Sequence, residues 1–147
     1  MADIRHRIAV KAPREQVYNA LATIEGLAGW WTRDTRGEAA PGKNIAFYFG
    51  GENPAAVMTV TEQGPNRVAW RCDEGPEEWL GTTVTFDLKR EDEYTVVLFT
   101  HAGWQETVEF MHHCSSRWAY FLFSLKAGIE RGAATPWPDD EPIDNLG

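Results

Sequence analysis

The sequence is short of cysteine, of positive charge and of any long apolar run. Two cysteines, Cys72 and Cys114, stand far apart, which excludes a dense disulfide framework and a Cys-x-x-Cys metal site. No apolar run approaches about 18 residues, so no spanning helix is expected. The opening MADIRHRIAV lacks the apolar core of a secretory signal. A cytoplasmic protein with two free, buried thiols is the resulting expectation. Lys and Arg number 14 against 22 Asp and Glu, for a net charge of −8. That balance argues against nucleic acid, whose phosphates need a cationic surface, and against an anionic membrane surface. There is no internal repeat and no linker.

What is plentiful is aromatic. Hydrophobic residues make up 43% of the chain and aromatics 12%, with seven tryptophans among 147 residues. The length suits one domain. Large rings cover area or line a cavity. Trp30, Trp31, Trp70, Trp79, Trp104 and Trp118 come from separate stretches, so they are free to converge.

The segment Ser115 to Arg131 reads as a long helix. Trp118, Leu122, Leu125 and Ile129 fall on one face, with Phe121 widening it. Ser115 or Ser116 suits the N-cap, and Gly132 the stop after Arg131. Tyr120, Phe123 and Ala127 lie off this stripe, so the back of the helix also needs cover. The segment after it, or a second copy of the chain, would supply it, with the former preferred.

Ahead of this helix the chain alternates. Asp3 to Val10 is a strand. Pro13 opens a helix with Val17, Ala20, Leu21 and Ile24 buried, broken at Gly26. Leu27 to Trp31 makes a second helical turn. Strands follow at 32–37, 43–49, 56–62, around Val68–Trp70–Cys72, at 79–89 and at 94–101. The apolar residues of 56–62 fit no strict alternation. Asp73 to Glu78 reads as a solvated acidic loop. Ala102-Gly103 ends the last strand, and 105–113 is a weaker helical segment. The pattern predicts an α+β fold. A strongly curved antiparallel sheet of six or seven strands wraps the long C-terminal helix, with one or two short helices after the first strand. Residues 1–132 form the domain, and the acidic, proline-rich 133–147 is a strap belonging to it.

Several landmarks resemble the START-like helix-grip superfamily. They are IAVKAPREQVYNALATIEGLAGWWT at 8–32, the strands carrying Trp70 and Trp79, His101-Ala102-Gly103, and WAYFLFSLKAGIERGAATPWPDD at 118–140. They are most similar to the branch named after the C-terminal domain of the activator of the Hsp90 ATPase. The resemblance implies a deep apolar cavity between helix and sheet. In relatives such cavities hold lipids, sterols or polyketides, and a few relatives are cyclases or aromatases. Hsp90 activators also carry a separate N-terminal domain with no counterpart in these 147 residues, so a ligand pocket is expected ahead of a co-chaperone role.

The expected function is therefore binding of a hydrophobic small molecule, lipid, polyketide or aromatic, without evident catalysis. Its expected lining is Trp31, Phe47, Phe49, Trp70, Phe86, Phe99, His101, Trp118 and Leu122. Two alternatives are a cyclase- or hydrolase-like enzyme using His101 as general base and a stress-response or chaperone-related interaction protein. His101 also reads as a structural histidine. Adjacent His112, His113 and Cys114 diverge by about 100° on a helix, so no metal site is expected. No cofactor is expected either, and with no Gly-x-Ser-x-Gly elbow Ser115 and Ser116 read as capping rather than catalytic. Self-association as a homodimer is left open.

Overall fold

The computed structural model describes residues 1–147. Seven strands form one antiparallel sheet: β1 (Ala2–Val10), β2 (Asp34–Gly37), β3 (Asn44–Tyr48), β4 (Ala56–Gly64), β5 (Arg67–Glu74), β6 (Thr83–Glu91) and β7 (Tyr94–Trp104). Their order in space is β1-β7-β6-β5-β4-β3-β2. From β2 onward this is a meander, and β1 closes onto the far end against β7. Helices α1 (Arg14–Ala22) and α2 (Ile24–Ala28) link β1 to β2, and α3 (Glu109–Arg131) follows the sheet. The expected α+β architecture is the one observed.

Side-chain alternation sets the inner face. Val84, Phe86 and Leu88 of β6 lie opposite His101, Phe99 and Val97 of β7, and all six are buried. Strand β4 shows why its apolar residues resisted assignment. Its pairing with β5 slips between Val57 and Met58 and again between Val60 and Glu62. Two bulges reset the face, so Ala56, Val57, Met58 and Val60 are all buried.

Four boundaries differ from the sequence reading. The long helix begins at Glu109 rather than Ser115, and it absorbs most of the weak segment at 105–113. Val108, not a serine, precedes it, with no side-chain cap. Residues 79–82 are not strand: Glu77–Trp79 is one tight 3-10 turn after Pro76, and Gly81 turns at φ 78° before β6 begins. Strand β7 runs through Gly103, at φ 90°, to Trp104, where its pairing with β1 shifts register. The first helix ends at Thr23, whose hydroxyl accepts from the Gly26 N–H and donates to the Asn19 carbonyl. Gly26 lies inside α2. A Cβ there would stand 2.2 Å from the Asn19 carbonyl oxygen, so glycine permits the close approach of α1 and α2 rather than ending a helix.

The C-terminal end of α3 is as expected. Gly132 takes the left-handed conformation at φ 63°, and the N–H groups of Gly132 and Ala133 return to the carbonyls of Gly128 and Ala127. The chain then folds back along the helix. Buried Ser124 donates its hydroxyl to the Trp30 carbonyl and accepts from the Thr135 N–H, both at 2.9 Å. Tyr120 and Thr135 share a hydrogen bond of 2.8 Å. Trp137 bonds through its backbone to Trp31 and Arg33. Residues 133–141 thus cover Tyr120, while Phe123 stays 57% exposed.

Candidate functional site

The space directly between α3 and the sheet is filled. Trp70, Phe47, Phe86, Phe99 and Leu122 are fully or almost fully buried and belong to one apolar cluster. Trp70 meets Phe86 edge-on at 5.2 Å and Phe47 at 5.6 Å, and Phe99 packs on Trp118 at 4.6 Å. These are ordinary aromatic pair distances for a close-packed interior.

The large cavity lies further out, against the N-terminal half of α3. It measures about 610 Å³. One wall is α3, through Phe110, His113, Cys114, Arg117, Trp118 and Phe121. Trp31 after α2, Phe49 after β3, Ala55 before β4 and Trp79 of the 3-10 turn form the floor and rim. Residues Trp137, Pro138, Asp140, Pro142, Leu146 and Gly147 of the returning segment close the other side. The adjacent tryptophans Trp30 and Trp31 divide the work. The Trp30 indole N–H donates to the Ala20 carbonyl at 2.8 Å and braces α1. Trp31 faces the cavity, tilted against Trp118 at 4.8 Å and parallel to Trp70 at 6.2 Å. Trp79 stacks on Trp118 at 5.9 Å, and its buried indole N–H has no hydrogen-bond partner.

Of the nine residues expected to line a pocket, Trp31, Phe49 and Trp118 stand on this wall. Phe47, Trp70, Phe86, Phe99, His101 and Leu122 pack behind it, in the filled interior. Sequence reasoning did not place Arg117, Phe121, Cys114 or Trp137 at a site. A charged residue at the head of the apolar run WAYFLF was the available signal for Arg117. Trp137 belongs to the strap expected to cover the helix, and its place on the cavity depends on how that strap folds back.

His101 is wholly buried and its hydrogen bonds define its tautomer. Its Nδ1 accepts the Trp118 indole N–H at 3.1 Å, so Nδ1 carries no proton. Nε2 therefore carries it and donates to Thr82 Oγ1 at 2.8 Å, and Thr82 in turn donates to the Trp79 carbonyl at 2.6 Å. Desolvation pushes the His101 pKa down to about 4. Both ring nitrogens are engaged and neither reaches the cavity. The ring orients Trp118 and ties β7 to the turn that carries Trp79.

Charge on the cavity wall is sparse and paired. Arg117 meets Asp140 at 2.9 Å, with the two side chains only 18% and 10% exposed. The same guanidinium lies 4.5 Å from the centre of the Phe121 ring. His113 Nδ1 stands 2.9 Å from Asp144, which this hydrogen bond holds below the usual carboxylate range. Cys114 is a free thiol, its pKa pushed up to about 11, first by burial. Such a thiol is a poor nucleophile. Nowhere do three or more His, Cys, Asp or Glu side chains cluster closely enough to hold a metal ion, and of His112, His113 and Cys114 only the last two border the cavity. The candidate acidic loop is partly strand: Asp73 and Glu74 end β5, and Asp73 pairs with Arg71.

A curved antiparallel sheet gripping a long terminal helix, with a ring-lined cavity at the helix's edge, defines a START-like helix-grip protein. Residues 11–130 match the family model described as "Activator of Hsp90 ATPase homolog 1-like protein". The chain belongs to that family. It is similar to the solution structure of the Aha1 dimer from Colwellia psychrerythraea, with 42% identity, a TM-score of 0.82, and coverage of 90% of this chain and 98% of that one. A protein from Staphylococcus saprophyticus shares 21% identity at a TM-score of 0.75, over 90% and 95% of the two chains. CalU16 from Micromonospora echinospora shares 21% identity at a TM-score of 0.70, over 88% and 77%. At that identity the last two attest to the fold alone. No curated protein matches the chain by sequence. No helix is long and apolar enough to cross a membrane.

Proposed function

We propose that this protein binds a hydrophobic small molecule in the 610 Å³ cavity under the returning segment. The cavity itself carries the reading. Its volume falls within the usual range for small-molecule sites, roughly 300–1,000 Å³, and it pairs an apolar wall with few polar points, as such sites do. Ten of its 16 lining residues are hydrophobic. Trp31, Trp79, Trp118 and Trp137 give flat surfaces suited to an aromatic or polycyclic guest. Catalysis through His101 finds no support, since its lone pair and its proton are both committed behind Trp118.

Native mass spectrometry and quenching of tryptophan fluorescence by neutral aromatic compounds test this reading. Binding in the micromolar range is expected. Ala55→Trp, which puts a ring on the rim, is expected to weaken it about tenfold or more at unchanged thermal stability. Absence of binding by any apolar compound would overturn the reading.

A second reading, self-association, is supported by the Colwellia psychrerythraea relative, whose structure is that of a dimer. Exposed Phe123 on the outer face of α3 is the apolar point available for it. Light scattering on the eluted protein decides: a dimer lost on Phe123→Glu supports that face, and a monomer at all concentrations refutes it.

A further inference from the structure

Resting on the reading of the cavity as a ligand site, we propose that its guest is a small aromatic carboxylate, whose carboxylate replaces that of Asp140 on the Arg117 guanidinium. Arg117 is the one permanently charged cation on the wall. It is largely buried, and its guanidinium is held in orientation over the Phe121 ring. A cation so placed needs an anion. Stripping water from an unpaired guanidinium is expensive, and a planar carboxylate is the group its donors fit best. In this structure the protein supplies that carboxylate itself, from Asp140.

The donor of that carboxylate is easily moved. Asp140 belongs to a stretch beyond Trp137 whose backbone–backbone hydrogen bonds are all local, such as the Asp139 N–H to the Pro136 carbonyl, and whose ties to the rest of the fold each run through a side chain. Asp139 pairs with Arg33, and those side chains are 50% and 62% exposed. The Glu141 N–H donates to the Tyr120 hydroxyl at 3.0 Å, and Asp144 meets His113. Such contacts define the low-stability end of a fold. Upstream, Trp137 is fixed by backbone hydrogen bonds to Trp31 and Arg33, so Asp140 can swing away while the cavity keeps its aromatic wall. Exchange of one carboxylate for another leaves the charge count on Arg117 unchanged. Either guest buries its rings against Trp31, Trp79 and Trp118, and the acid gains over the amide because a free planar carboxylate can align two oxygens with the guanidinium where Asp140 makes a single contact of 2.9 Å. Asp140 acts as an internal competitor that raises the threshold for binding.

Calorimetric titration at pH 7 with 2-naphthoate and its uncharged isostere 2-naphthamide tests the exchange. Naphthoate is expected to bind at least about tenfold more tightly. Asp140→Asn is expected to tighten naphthoate several-fold further and to leave naphthamide unchanged. Arg117→Gln is expected to remove the preference for the acid. Asp139→Asn loosens the same stretch without freeing Arg117, and it is expected to leave the acid-to-amide ratio as in the wild type. Circular dichroism and melting of each variant establish that it is folded. Equal binding of acid and amide, or a preference that survives Arg117→Gln, would overturn the exchange while leaving the cavity as an apolar site. Absence of binding by both, when neutral aromatics do bind, would also overturn it. If no apolar compound binds at all, both this proposal and the cavity reading fall.

Discussion

Trp118 and Arg117 are neighbours on α3 and live in different solvents. Trp118 borders the cavity too, but its indole N–H turns inward: it meets His101, His101 meets Thr82, and Thr82 meets a backbone carbonyl, all buried and all paired. Arg117 points toward the returning segment, where one ion pair and one ring hold it beside open space. On the sheet side, close packing and a satisfied polar chain leave nothing to exchange. On the strap side, an equally aromatic surface is met by a segment held through Asp139, Asp140, Glu141 and Asp144. The difference teaches that ring content alone does not separate filled space from open space. What separates them is whether the facing surface is joined by strand ladders and close-packed rings or by the few ties of a returning segment.

The sharpest way to break this contrast is Trp118→Ala. It removes a large ring from the packed side and strips His101 Nδ1 of its donor. A loss of about 3–5 kcal/mol is expected, read as a fall in melting temperature of roughly 10 °C or more. A loss below about 1 kcal/mol would show the interior to be as loose as the cavity side.

Acid probes the same side more gently. The His101 pKa lies near 4 in the folded protein against an ordinary 6.5, so the unfolded chain binds the proton more readily. Stability held above pH 6.5 is therefore lost as pH falls through that window, by about 3 kcal/mol over its full width. Urea midpoints at pH 7 and pH 4.5 measure it, and His101→Gln is expected to flatten the difference relative to wild type. An unchanged slope in that variant would assign the acid sensitivity elsewhere.

The smallest effect belongs to the strap. Asp139→Asn removes an exposed pair with Arg33 and is expected to change stability by less than about 1 kcal/mol. A larger loss would mean that the segment beyond Trp137 is integral to the core and not a movable cover.

How far the residues announced this arrangement depends on range. Local periodicity gave the strands, the meander and the stop at Gly132. It missed the start of α3 because Ser115 and Ser116 suggested a cap there, whereas the true first turn follows Val108 with no capping side chain to mark it. Met111, Cys114 and Trp118 continue the buried stripe at helical spacing. It failed along β4 because two bulges broke the alternation that a period-two reading assumes. It mistook Trp79–Leu80–Gly81 for strand, since alternating apolar residues resemble one until the left-handed Gly81 is seen. The aromatic set was right about convergence, but it expected Phe47, Trp70, Phe86 and Phe99 on the lining together with Trp31, Phe49 and Trp118. Phe47, Trp70, Phe86 and Phe99 face the packed centre, whereas Phe121 and Trp137 border the cavity. That distinction rests on contacts across more than a hundred residues, such as Arg33 with Asp139, which carry no local signature.

The pairing of β1 with β7 has a consequence for how the chain is made. Ile4 sits opposite His101, and Ala2 opposite Trp104. Strand β1 lies at an edge of the sheet, so β7 is its sole strand neighbour. A ribosome delivers β1 first and must translate almost the whole sheet before that strand finds a place to zip. Until then its unpaired backbone is open to any other nascent edge nearby. Closure is set by the longest loop in the topology, so assembly is expected to be slow for a chain of this size. Arg5 and Arg7, on the solvent face of β1, put charge on the waiting strand and discourage it from pairing with the wrong chain.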